Sequence, residues 1–266
     1  MHAFTKPTRR VASPGLRGTY PVTLRAMNAA LAAAAALVAS AFALSTLDRW
    51  LRRRQPHDLA WTVSLALFAL GAGALWWAES VGWGLGVFRV FYLAGAILNV
   101  PWLALGTVYL LANRHVADRV RGWLILISGF AVGVVLFAPT RSHVSGLVVN
   151  GKELPTGKDV FGVAPRLLAA VGSGAAAVII VAGAAWSVWH PRREGGRLTI
   201  GNVLIAIGTL VLSASGTLAG RLGKDRAFAV TLLIGICVLF AGFLVATSRR
   251  RSDQRAPQEL AADIAR

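Results

Sequence analysis

Stretches of about twenty apolar residues recur along this chain, and no other feature restricts its fold as strongly. A backbone that meets no water must satisfy its own hydrogen bonds, so each such stretch predicts a helix that crosses a bilayer. Seven runs qualify: Ala29–Leu47, Leu59–Ala78, Val87–Leu111, Gly122–Ala138, Leu167–Val188, Ile200–Ala219 and Ala227–Ala246. The expected fold is therefore all-α, a polytopic transmembrane bundle of about seven spans. Composition agrees, because 56% of the residues are hydrophobic and only 15% are charged. A soluble domain carries about a quarter charged residues.

A formal charge of +17 invites a nucleic-acid reading. That reading fails on distribution, since the basic residues form clusters between apolar runs and not one stripe. Clusters of that kind set membrane orientation, because cytoplasmic loops collect Lys and Arg. The segments after runs one, three, five and seven carry Arg49, Arg52, Arg53 and Arg54; Arg114, Arg119 and Arg121; Arg192, Arg193 and Arg197; and Arg249, Arg250, Arg251 and Arg255. Placing all four inside predicts an external amino terminus and an internal carboxyl terminus. The remaining loops mix signs, as in Arg141, Lys152, Glu153, Lys158, Asp159 and Arg166.

Residues 1–27 form a basic tail that opposes this orientation, with Lys6, Arg9, Arg10, Arg17 and Arg25. Either the tail crosses despite its charge, or translation starts at Met27. A signal-peptide reading of the first run rests on the small residues Ala39-Ser40-Ala41, but cleavage there would leave Arg49–Arg54 outside. Residues 28–247 are the expected membrane domain and residues 248–266 a basic cytoplasmic tail. In the loop after the fourth run, Asn150-Gly151 lies between short extended stretches and suggests a hairpin turn.

The third run carries the most polar chemistry. Arg89, Tyr92, Asn99, Trp102, Gly106, Tyr109 and Asn113 recur at spacings of three, four or seven, which places them on one face of a regular helix. Polar groups at bilayer depth face protein or a water-filled cavity. The face thus reads as the wall of a ligand cavity formed by Arg89, Tyr92, Asn99, Trp102 and Tyr109, or as packing bonded to neighbouring helices. The cavity reading expects a thiol at position 99 to be partly labelled, and Asn99→Leu to cost little stability. Pro101 has no N–H, so a kink and a free Ile97 carbonyl are expected. Glu79 and Arg89 flank a glycine-rich turn and are expected to form an ion pair, either as a clamp or as part of an anion or headgroup site on Arg89. Trp50, Trp61, Trp83, Trp123 and Trp189 fall near span ends, where an aromatic belt is expected.

Other chemistry lacks its residues. The single cysteine, Cys237, rules out an intrachain disulfide or a cysteine cluster. None of the five histidines lies at bilayer depth, which weakens a membrane haem or zinc site. No aspartate occurs inside a run, and the last run contains no lysine for a Schiff base. No catalytic residue, metal ligand or cofactor is assigned.

The stretch Phe91-Tyr92-Leu93-Ala94-Gly95-Ala96-Ile97-Leu98-Asn99-Val100-Pro101-Trp102 through Leu111, followed by Asp159-Val160-Phe161-Gly162 and Pro165-Arg166, resembles uncharacterised membrane proteins of actinobacteria. The resemblance covers most of the chain from Met27. It implies a multi-pass membrane protein and carries over no catalytic or binding residue. The expected location is a bacterial plasma membrane. The expected role is non-enzymatic binding, sensing or assembly, with transport of a small or lipidic solute and lipid modification as the rivals. The expected partners are the lipid bilayer, a small-molecule or lipid ligand, and another membrane protein, with no nucleic acid.

Overall fold

The computed structural model describes residues 22–139, 155, 157–189, 200–201, 203–212 and 225–247. Every extended element among them is a helix. We number them α1 Val22–Arg53, α2 Pro56–Val81, α3 Leu85–Leu111, α4 Arg114–Phe137, α5 Gly157–Val160, α6 Val163–Trp189, α7 Val203–Leu212 and α8 Asp225–Thr247. Six of them (α1, α2, α3, α4, α6 and α8) are long and apolar enough to cross a membrane. The sixth expected run is represented by Ile200, Gly201 and α7, and residues 202 and 213–219 of it lie outside the described residues. So do residues 1–21 of the leading tail, the Asn150-Gly151 turn and the last basic tail, while residues 22–27 of the leading tail form the start of α1.

Local sequence sets several helix ends. Pro56 opens α2, where a missing N–H costs nothing. Gly82 closes it with φ +123°, a conformation that favours glycine, and returns its N–H to Ala78 O at 2.8 Å. Asn113 caps α4 by accepting the backbone N–H of His115 at 3.2 Å. Its place in the expected stripe of the third helix is thus taken by a capping role.

α3 is not regular. Its middle, Tyr92–Leu98, is a π-helix between α-helical halves, and the Asn99 N–H bonds Ala94 O, five residues back. Pro101 accounts for the local deficit, since it supplies no N–H to the carbonyls of Ile97 and Ala96, four and five residues before it. Ser173 on α6 donates to Ala96 O at 2.6 Å. The acceptor satisfied from outside is therefore Ala96, one residue before the expected Ile97.

Packing pairs define the bundle. Arg49 meets Asp58 and Thr46 meets Thr62, so α1 and α2 are antiparallel. Ser64 meets Asn99 and Trp61 lies against Gly106, so α2 and α3 are antiparallel too. α6 runs alongside α3, with Ser173 near Ala96 and Gly183 near Thr107 and Leu111. α7 and α8 pack backbone to backbone: a Cβ at Gly242 would lie 2.8 Å from Gly201 O, and one at Gly208 would lie 2.8 Å from the nitrogen of Leu239. α4 is peripheral, with 17% of its apolar stretch buried against 50% for α2 and for α3.

These pairings give the bundle two unlike ends. One gathers Arg49, Arg52, Arg53, Arg54, Arg114, Arg119 and Arg121 with the last turns of α8. The other is aromatic, where Trp83, Phe88, Phe91, Tyr92, Phe161 and Phe228 form a chain of ring contacts at 5.2–6.3 Å.

Candidate functional site: the polar groups of the third helix

The π segment alters the rotation of α3 between Arg89 and Asn99, because wide turns hold an extra residue. Spacing arithmetic for a regular helix cannot be carried across it. The structure accordingly distributes the stripe over several neighbours.

Asn99 is 7% exposed and faces α2. The Ser64 hydroxyl lies 2.8 Å from its Oδ1 and 3.0 Å from its backbone carbonyl. Trp102 turns to α4 and donates from Nε1 to Ser128 Oγ at 3.2 Å. Ser128 in turn donates to Leu124 O at 2.7 Å. Tyr109 donates its hydroxyl to Asp118 at 2.7 Å, and Asp118 also lies 3.6 Å from Arg121 and 3.9 Å from Arg114. Gly106 receives the Trp61 indole edge, leaving no room for a side chain.

The amino-terminal half of α3 belongs to the aromatic end. Tyr92 stacks on Phe88 at 5.8 Å and meets Phe161 edge-on at 5.2 Å. Its ring covers Gly157, where a Cβ would fall 2.6 Å from the ring edge. Arg89 was the expected partner of Glu79; its described hydrogen bond runs from Nη2 to Ala138 O at 3.3 Å, and its Nε is buried without a partner. Glu79 is buried on α2 and is not without a partner.

A charged cluster at the opposite end is absent from the expected site. Asp58 is 1% exposed and forms an ion pair with Arg49, while His57 Nε2 stands 3.6 Å from the same carboxylate. The Arg49 guanidinium also sits 4.5 Å above the Phe243 ring, which ties α8 to the α1–α2 hairpin. Thr62 bridges the backbone of Asp58 and the hydroxyl of Thr46. A sequence signal existed, because Asp58 is a carboxylate at the edge of an apolar run, next to a basic loop. Nothing in the sequence identified which arginine it meets.

Below this cluster, Phe42, Trp61, Leu65, Leu103, Ile205, Leu239 and Phe243 line an apolar cleft of about 10 Å³, close to the size of one water. Trp61 and Trp83 point inward, the latter 3% exposed, so neither joins the expected belt. Trp123 and Trp189 are exposed. Comparison with known proteins finds no matching family, no matching curated protein and no matching solved structure.

Proposed function

We propose that this chain is a non-enzymatic binding or assembly protein of a bacterial plasma membrane, with seven crossings, an external amino terminus and an internal carboxyl terminus. The observation that carries the functional reading is the engagement of α3: Asn99, Trp102 and Tyr109 each bond to a neighbouring helix, as packing groups do. Such bonds make α3 the strut of the bundle. Exposed apolar residues on α4, among them Trp123, Leu126, Phe130 and Phe137, suit contact with lipid or with another membrane protein.

Two features support seven crossings. α6 and α8 both run toward the arginine-rich end, so the chain between them has to return, and α7 packs antiparallel to α8 along that path. Collecting the arginines at one end fits a cytoplasmic side there. Reporters after Ala246 and near Asn150 should therefore fall on opposite sides, internal and external respectively.

Transport of a small solute is the rival, and the π segment of α3 favours it because such segments recur at functional sites. A single cysteine at position 99, in a Cys237→Ala background, separates the two. With a polar thiol reagent, protection in sealed vesicles supports the strut; labelling supports a water-filled path.

A further inference from the structure

We infer that the aromatic end of the bundle carries an oxyanion site on Arg89, with the indole N–H of Trp83 as a second donor, for a phosphate-type group. This goes beyond the proposed binding role and rests on different residues from the α3 strut.

The argument begins with donors that lack acceptors. Buried donors in a folded chain are almost always hydrogen-bonded, so each exception calls for an explanation. Arg89 Nε and Trp83 Nε1 are both buried and both without a partner; Trp83 lies in the turn just before α3 and Arg89 in its second turn. Trp83 is 3% exposed and its ring is held by Phe88 and Phe91 at 5.8 and 5.5 Å. The indole is therefore fixed in place. Arg89 is half-buried, and its one hydrogen bond among the described residues uses Nη2 on the backbone carbonyl of Ala138, a neutral acceptor.

The chemistry of the missing acceptor follows from the donors. A guanidinium offers N–H groups in a planar fork that fits two oxygens of a carboxylate or phosphate. Two further cations stand at this end: Arg166 is exposed and within electrostatic reach of the Tyr92 phenol, and Lys158 is exposed on α5. Glu79, the carboxylate at this end of α2, is buried and has a partner. Arg89 sits in the second turn of α3, near one end of that helix. A phospholipid headgroup and free phosphate present the same oxygens, and the experiment tells them apart.

The full chain is purified in neutral detergent and in nanodiscs, and its thermal unfolding is followed. Inorganic phosphate is added against chloride at equal ionic strength, and phosphatidylglycerol nanodiscs are compared with galactosyl-diacylglycerol nanodiscs that contain no phosphate. Stabilisation by phosphate and by phosphatidylglycerol marks a site open to free anions. Stabilisation by phosphatidylglycerol alone marks a headgroup site. Trp83→Phe keeps the ring and removes only the N–H, and should weaken the apparent affinity for the stabilising probe by about threefold or more; Arg89→Gln should weaken it at least about tenfold. Arg119→Gln, at the opposite end, should respond as the parent does. If Arg89→Gln does not fold, Arg89→Lys replaces it, since lysine keeps the charge and loses the fork. No stabilisation by either probe, or the same response in the parent and in the Trp83 and Arg89 variants, overturns the site.

Discussion

Ser64 on α2 lies within hydrogen-bond distance of both oxygens of Asn99 on α3, 2.8 Å from the side-chain Oδ1 and 3.0 Å from the backbone carbonyl. Both residues are buried, so the contact joins the two helices within the bundle interior. Asn99→Leu should therefore destabilise the protein, contrary to what a hydrated pocket at this position would give. A double-mutant cycle with Ser64→Ala should return a coupling of about 0.6–1.7 kcal/mol. Unfolding in mixed micelles measures it, and additive costs would remove the strut.

The Ser173–Ala96 bond should depend on Pro101. Ser173→Ala leaves the Ala96 carbonyl without its outside donor and should cost about 1 kcal/mol. Pro101→Ala restores an N–H in that turn, so the same serine change in a Pro101→Ala background should cost measurably less. Equal costs in both backgrounds would show that the proline and the serine act independently.

Asp58→Asn should be among the most damaging single changes at the arginine-rich end. It leaves the Arg49 charge without its buried counter-ion, a loss of about 3 kcal/mol or more. Arg49 is 22% exposed, so water recovers part of that cost. Replacing both residues with leucine and methionine should recover most of the stability, because an apolar pair needs no desolvation to be offset. Thermal midpoints of the two single variants and the double variant test the order.

Two classes of glycine should separate cleanly. Gly242→Ala would bring a methyl within 2.8 Å of Gly201 O and should cost about 1–3 kcal/mol by overpacking. Gly129→Ala on α4 meets nothing within 4 Å and should be close to neutral. Comparable losses at both positions would contradict the antiparallel packing of α7 on α8.

Much of the fold was legible because hydropathy is a property of each segment alone. The apolar runs correspond to α1, α2, α3, α4, α6 and α8, with ends shifted by a few residues, and the turn at Gly82 follows from its position between two runs. The candidate site was legible only as a set of residue types. Asn99, Trp102 and Tyr109 do bond to other helices, yet their partners Ser64, Ser128 and Asp118 carried no signal that distinguished them from other serines and aspartates.

The sequence by itself determined that this chain holds several helices long and apolar enough to cross a membrane and that its arginines cluster after alternate apolar runs. Both follow from transfer of single segments between water and lipid, which depends on composition and length. Only the tertiary structure decided that Trp61 and Trp83 turn inward, that α3 widens into a π-helix beside Pro101, and that Arg49 rather than another arginine meets Asp58. Those outcomes depend on how two helices rotate and cross. Lipid presents nearly the same surroundings to every rotation of an apolar helix, so small residues, bonded polar groups and shape select one of them.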